Sequence, residues 1–255
     1  MGPVDPIYRK FYKSNSRMKK LYLIFLFIGL AFGSWAQGSA FGIKGGPTMG
    51  FQKWNNYNQQ PLFRYHGIVF IESLGDNALF AQAGYHVKGS ALRNLRFTNP
   101  ISGNIGALPA QNFQFRNASL TIGAKKKHDM GTGNTKAYYL LGLRGDFTIN
   151  TNLEEYENIV FGTINTWPSD QWVRRFNYGM TIGGGFEFPF GELVSGLLEF
   201  TINPDLSKQY YQPALGNVYD PYTGTDRSFS ERKITNITLE MTFGLRFMRL
   251  VEYID

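Results

Sequence analysis

The chain has 255 residues, 29 glycines, 16% aromatic residues and no cysteine, which excludes disulfide scaffolds, cysteine zinc sites, thiol catalysis and lipid attachment through an amino-terminal cysteine. Its formal charge of +7 is concentrated at the start. Between Met1 and Ala36, Arg9, Lys10, Lys13, Arg17, Lys19 and Lys20 stand against Asp5, so the rest is close to neutral and has no basic footprint for nucleic acid.

Residues 1–17 read as an upstream extension of the start. Residues 18–36, MKKLYLIFLFIGLAFGSWA, read as a signal peptide: two lysines, an apolar run from Leu21 to about Gly33, then Ser34-Trp35-Ala36 before Gln37. The run is shorter than the ~20 residues a membrane-spanning helix needs. The mature domain would be 37–255.

From there, period-2 and glycine-rich aromatic stretches recur near 39–52, 62–74, 78–90, 112–124, 135–150, 172–188, 193–203 and 232–248, with no convincing helical stripe. The joins Gly75-Asp76-Asn77, KKKHDMGTGN and PFGE are short or simple, whereas the connections near 53–61, 91–111, 151–171 and 204–231 are mostly long. Short turns at one end and long loops at the other are the pattern of an outer-membrane barrel. The expected fold is therefore all-β, an eight-stranded antiparallel up-and-down transmembrane β-barrel in a bacterial outer membrane.

The strand faces agree. Tyr139, Leu141, Leu143, Phe147 and Ile149 oppose Gly142, Arg144, Asp146 and Thr148. In the last strand, ITLEMTFGLRF, Leu239, Met241, Phe243, Leu245 and Phe247 oppose Glu240, Thr242 and Arg246. An eight-stranded barrel has an interior just wide enough for side chains to fill. The polar faces carry Lys44, Arg64, Glu72, Arg144, Asp146, Glu187, Glu199, Glu240 and Arg246, charges of both signs, so a salt-bridged and plugged lumen is expected rather than a pore. Tyr57, Phe63, Tyr65, Phe113, Phe115, Tyr138, Tyr139, Phe188 and Phe190 lie near strand ends, where aromatic girdles form, although strands favour aromatics anyway.

On FGIKGGPTMGF, LFAQAGYHVKGS, KAYYLLGLRGDF, MTIGGGFEF, ITLEMTFGLRF and the SWAQ cleavage region, the chain resembles the small outer-membrane β-barrel proteins of Bacteroidetes loosely labelled PorT-like, related in architecture to OmpA-type barrels. That resemblance implies a final-strand aromatic read by the barrel-assembly machinery, at Phe247, or at Tyr253 because MRLVEYID follows it. It also implies a place in an envelope protein complex, that of type IX secretion.

Catalysis finds little support. His66, His86 and His128 stand in H-G-I, H-V-K and H-D-M contexts, without the His-x-Ser pair of deacylase-type barrels. His66 and His86 suit a lumen or a strand end, and His128 a basic periplasmic turn with Lys125 to Lys127. GTGNTK lacks phosphate-loop spacing, and Asp220 with Asp226 lacks calcium-loop spacing. No cofactor is expected. In the external loops Trp167, Tyr210, Tyr211, Tyr219 and Tyr222 are candidate partner contacts, or the loops pack on one another to cap the barrel. The expected role is a non-enzymatic structural or partner-binding component embedded in outer-membrane lipid, with a secretion-complex subunit and, less favoured, a lipid-A-modifying enzyme as alternatives.

Overall fold

A computed structural model describes residues 38–54, 59–93, 96–98, 103, 105–107, 110–131, 134–157, 168–220 and 224–249. The expected upstream extension and signal peptide lie outside them, as do Trp167 and Tyr222.

The strands in chain order are β1 (Ser39–Lys53), β2 (Gln60–Ser73), β3 (Asn77–Leu92), β4 (Arg96–Thr98), β5 (Ile105–Ala107), β6 (Gln111–Asp129), β7 (Lys136–Thr151), β8 (Phe176–Pro189), β9 (Val194–Pro204), β10 (Tyr210–Gln212), β11 (Leu215–Asp220), β12 (Thr225–Phe229) and β13 (Arg232–Arg249). Eight of these form one ring in the order β1-β2-β3-β6-β7-β8-β9-β13, and β13 pairs back onto β1. Every neighbour in the ring is antiparallel. The last strand closes on the first with Phe41 opposite Phe247 and Ile43 opposite Leu245. The molecule is an eight-stranded, antiparallel, up-and-down transmembrane β-barrel.

Alternation sorts the faces. Phe41, Ile43, Val69, Leu120, Ile122, Leu141, Leu143, Ile202, Phe243 and Leu245 are exposed, while Lys44, Glu72, Arg144, Asp146, Glu199, Glu240 and Arg246 are buried. Such a surface is unfavourable in water and suits hydrocarbon, where a closed ladder also leaves no unpaired edge. On β6 the outward positions Ala118, Leu120, Ile122 and Ala124 run uncharged between Arg116 and Lys126. With a strand rise of 3.3–3.4 Å and a tilt near 40°, that interval stands about 25 Å tall, the height of a lipid-facing band.

Three tight joins lie at one end, after Ser73, Asp129 and Pro189. The other end carries the longer connections: one with the β4–β5 hairpin, one with the one-turn helix α1 (Glu154–Glu157) and a 3-10 turn at Asp170–Trp172, and one with β10 and the β11–β12 hairpin. At the tight end Lys136 Nζ donates to Asp76 Oδ1 at 3.0 Å. That hydrogen bond holds the turn carboxyl of Asp76 below its ordinary range. One expected turn is shorter than its sequence suggested. β6 continues through Lys125, Lys126 and Lys127 to Asp129, so His128 is a strand residue, its ring beside Tyr139. The alternation persists there because Lys125 and Lys127 find carboxylates inside the barrel, a partnership invisible in a local run of lysines.

The interior is not polar throughout. Ile68, Phe70, Phe80, Tyr138, Leu140 and Leu197 form a buried layer. Room for it comes from glycine: a Cβ on Gly42 would lie 2.7 Å from the Phe70 ring, and one on Gly123 would lie 2.8 Å from Phe80. Phe113, Phe115 and Tyr138 are also inside, contrary to a girdle role, because each falls on the inward phase of its strand. Phe63, Tyr65, Tyr139, Phe188 and Phe190 do face outward, and Tyr57 lies outside the described residues.

Candidate functional site

The ring of strands brings residues far apart in sequence to the same level of one narrow lumen. Nearest the tight turns, Glu72 accepts from Lys125 Nζ at 2.7 Å, Lys127 Nζ at 2.8 Å and Arg246 Nε at 2.5 Å. Glu187 shares two of these cations, Lys127 at 2.8 Å and Arg246 Nη1 at 2.7 Å. Beside them Lys44 reaches Glu199 at 2.6 Å, and the Tyr138 hydroxyl donates to the same carboxylate at 3.1 Å. Lys125 Nζ also stands 4.4 Å from the Tyr138 ring centroid and Lys44 Nζ 5.4 Å from that of Phe70, so the apolar layer presents π-faces to the cations above it.

At mid-height His66 and His86, directly paired between β2 and β3, stack with centroids 5.5 Å apart and planes 5° from parallel. His86 Nδ1 is 2.6 Å from Glu240, and the His66 ring nitrogens contact Thr48 at 2.8 Å and Thr242 at 2.9 Å. Towards the long loops, Lys88 lies between Asp146 at 2.7 Å and Asp205 at 2.8 Å, and Arg144 contacts the same two carboxylates at 2.9 and 2.6 Å. Asn236 donates to the free oxygen of Asp205 at 2.8 Å.

The lattice balances. Lys44, Lys88, Lys125, Lys127, Arg144 and Arg246 face Glu72, Asp146, Glu187, Glu199, Asp205 and Glu240, cation for carboxylate. Burying one such charge alone costs several kcal/mol, and the cost is offset only where partners and further hydrogen bonds saturate it. Lys88, Lys127, Arg144 and Arg246 each meet two carboxylates, and Lys44 and Lys125 one each.

Above the lattice the lumen is closed twice. Gln52, Ser90, Asn117, Thr148, Gln209 and Asn236 form a hydrogen-bonded layer, with Ser90 donating to Gln52 at 2.7 Å, Thr148 to Asn117 at 2.8 Å and Gln52 to Asn236 at 2.8 Å. Over it sit Trp54, Leu92, Phe113, Phe115, Leu153, Tyr210 and Ile234, packed together and joined by Tyr156, Trp172 and Val173. Trp54 and Phe113 have centroids 5.0 Å apart, as do Phe113 and Tyr156.

Of the charges expected inside, Lys44, Glu72, Arg144, Asp146, Glu187, Glu199, Glu240 and Arg246 meet in the lattice. Arg64 does not. The β2–β3 ladder slips between Pro61 and His66, where Leu62, Phe63, Arg64 and Tyr65 stand against Val87, Lys88 and Gly89. Arg64 is half-buried between the outward Phe63 and Tyr65, opposite Thr48 of β1, and its guanidinium donates to Phe63 O at 3.0 Å rather than to a lattice carboxylate. Lys88, Lys125, Lys127 and Asp205 were missed as lattice members. Lys88 was legible as two residues beyond His86 on the same face, and Lys125 and Lys127 as continuing the phase of Thr121. Asp205 lies just past β9 and was legible as continuing the phase of Glu199, Thr201 and Asn203, although Pro204 before it reads as the end of the strand.

The expected loop contacts divide. Tyr210 is 0% exposed and belongs to the cap, its hydroxyl donating to Gln212 at 3.1 Å, because β10 pairs with the start of β13 and turns that ring inward. Tyr211 is half-buried among Arg174, Lys208 and Lys233, at 5.2, 5.6 and 6.0 Å from its centroid. Tyr219 is 63% exposed on the β11–β12 hairpin. Among the described residues no group of three or more His, Asp or Glu is disposed to hold a metal ion.

No protein-family model matches the chain, and no curated protein matches it. Among solved structures it is similar to Neisserial surface protein A, at 9% identity over 82% of this chain and 97% of that one with a TM-score of 0.42. It is also similar to the outer membrane protein OprG of Pseudomonas aeruginosa, at 10% identity over 86% and 99% with a TM-score of 0.48. The outer membrane protease OmpT of Escherichia coli aligns at 11% identity over 83% and 97%, with a TM-score of 0.35. The barrel stands on its own closed ladder and sorted faces, independently of these likenesses. An even-numbered single-chain barrel with tight turns at one end, long loops at the other and an apolar band between is a bacterial outer-membrane protein.

Proposed function

We propose that this chain is a non-enzymatic barrel that serves as a structural and partner-binding component of the cell envelope, with its external loops as the contact surface. The observation that supports this most directly is the filled lumen. Its charges pair within hydrogen-bonding distance and an apolar cluster packs over them at the loop end, an interior that favours a plug over a channel or a substrate site. The two buried histidines serve the same lattice, His86 through Glu240 and His66 through two threonines. Tyr219 and the cation-flanked Tyr211 remain on the loop surface as contact residues.

Reconstitution in planar bilayers tests the plug: the folded protein is expected to be silent, and a steady single-channel conductance would reject it. Deletion of the gene is expected to leave lipid A mass unchanged, and a changed mass would restore the enzyme reading. The likeness of FGIKGGPTMGF and ITLEMTFGLRF to PorT-like strands favours a second reading, a subunit of an outer-membrane secretion or assembly complex. Under mild detergent such a subunit co-purifies with a larger envelope machine, whereas the first reading tolerates a barrel that runs alone. Insertion by the barrel-assembly machinery, through Phe247 or Tyr253, goes with either reading.

A further inference from the structure

We propose that the outer wall of the barrel, at the loop-side rim of β2, β3 and β6, is a binding site for the phosphate of an outer-leaflet lipid headgroup. The proposal rests on the membrane-barrel reading and adds a ligand to it.

The site lies beside the slip in the β2–β3 ladder, where Arg64 is half-buried and outside the ion lattice. Arg64, Tyr65, Tyr85, Gln114 and Arg116 border an external recess of about 660 Å³. Lys88 points inward to Asp146 and Asp205, so its neighbour Val87, which also lines the recess, belongs to the outer wall. The two arginines differ from Lys44, Lys88, Lys125, Lys127, Arg144 and Arg246 of the lattice, each of which meets a carboxylate. Among the described residues Arg64 has only the Phe63 carbonyl, and Arg116 is exposed with no hydrogen-bond or ion-pair partner. No Asp or Glu occupies an outward position of β1, β2, β3 or β6. Two unmatched guanidinium groups beside tyrosine hydroxyls are a donor set for a phosphate, which guanidinium meets in a bidentate fork.

Height identifies the phosphate as a lipid's. Arg116 marks the loop-side limit of the apolar band that Lys126 bounds at the other end, so the recess lies at headgroup level. Tyr65 and Tyr85, with rings 6.4 Å apart, occupy the interfacial depth where such side chains are favoured. Immediately beside the recess a second, apolar groove of about 720 Å³ is lined by Pro47, Met49, Phe63, Ile202, Leu239 and Met241. Phe63 lines both. A headgroup phosphate on the arginines therefore leaves an acyl chain positioned to lie in the groove.

The test uses the full chain, purified in neutral detergent and first checked for heat-modifiable mobility, so that failure of the barrel reading shows before any lipid is added. Native mass spectrometry then compares bis-phosphorylated lipid A with the dephosphorylated molecule of the same acylation. The folded protein is expected to retain the phosphorylated form about tenfold better, and R64Q/R116Q to lose that preference, at the scale of one to two charge-assisted hydrogen bonds. R116Q alone, at an exposed position where folding is not at stake, is expected to lose part of it. K126Q, at the opposite rim, is expected to keep it. Equal retention of the two lipids, or unchanged preference in both arginine variants, overturns the proposal. Displacement of the lipid by equimolar inorganic phosphate would also overturn it, by assigning the site to the free anion.

Discussion

Arg246 on the last strand places its Nε 2.5 Å from the Glu72 carboxylate on the second, reaching past the first strand that separates them in the ring. The contact exists only once the barrel has closed, and Glu72 simultaneously holds Lys125 and Lys127 of β6. One buried carboxylate thus ties three strands together across the lumen.

Glu72→Gln is accordingly expected to destabilise the barrel by about 3–5 kcal/mol, because three buried cations lose a shared counter-charge. Urea unfolding from lipid vesicles measures it. Adding Lys125→Gln to Glu72→Gln is expected to recover part of the loss, since the residues are coupled. Strict additivity would show that the ion lattice does not act as a unit.

Leu120 and Ile122 flank Thr121 on β6, the first two exposed and the third buried. Leu120→Arg is expected to cost about 2–4 kcal/mol of folding stability in vesicles, the depth-dependent cost of arginine near the bilayer midplane. Lys126→Arg, at the edge of the band, is expected to cost close to nothing. A neutral Leu120→Arg would mean that this face does not meet hydrocarbon.

Gly89 has φ +153°, and a Cβ there would stand 1.9 Å from the Phe113 carbonyl oxygen. Gly89→Ala is expected to lower stability by about 1–3 kcal/mol through backbone strain, with the clash adding to it. Gly75, also at positive φ but with open space around its Cβ, is expected to lose less on the same change, since strain acts there alone. Heat-modifiable gel mobility across a temperature series distinguishes the two.

Tyr210 is buried in the loop-end cluster with Trp54 and Phe113. Tyr210→Ala is expected to cost about 3–5 kcal/mol locally, as for a large buried aromatic. Limited proteolysis is expected to cut the 205–231 connection faster while sparing the barrel strands. Tyr219→Ala, at an exposed position, is expected to leave the cutting rate unchanged, so equal effects would refute the cap.

How much was legible follows the range of each interaction. Alternation in ITLEMTFGLRF assigned Glu240 and Arg246 to one face and Phe243 and Leu245 to the other, and the antiparallel up-and-down order then paired this strand with FGIKGGPTMGF. Both inferences need only neighbours along one chain and the requirement that a lipid-exposed sheet have no edge. Three consecutive lysines at 125–127 defeated the same logic, because a local run of charge resembles a solvated turn. Phe113 and Phe115 misled in the opposite sense: aromatic and near a strand end, they nonetheless fall on the inward phase.

The sequence by itself determined the strand count, the two faces, the asymmetry of the loops and the mixed charge of the lumen, because a period of two and a turn are properties of a few adjacent residues. Tertiary structure alone decided that Glu72 meets Arg246 and Lys125, that Asp205 completes the Lys88 and Arg144 cluster, and that Arg64 stays out of the ion lattice. Those outcomes depend on the stagger with which eight strands close. That stagger is set jointly by every ladder in the ring, and no single stretch of sequence carries it.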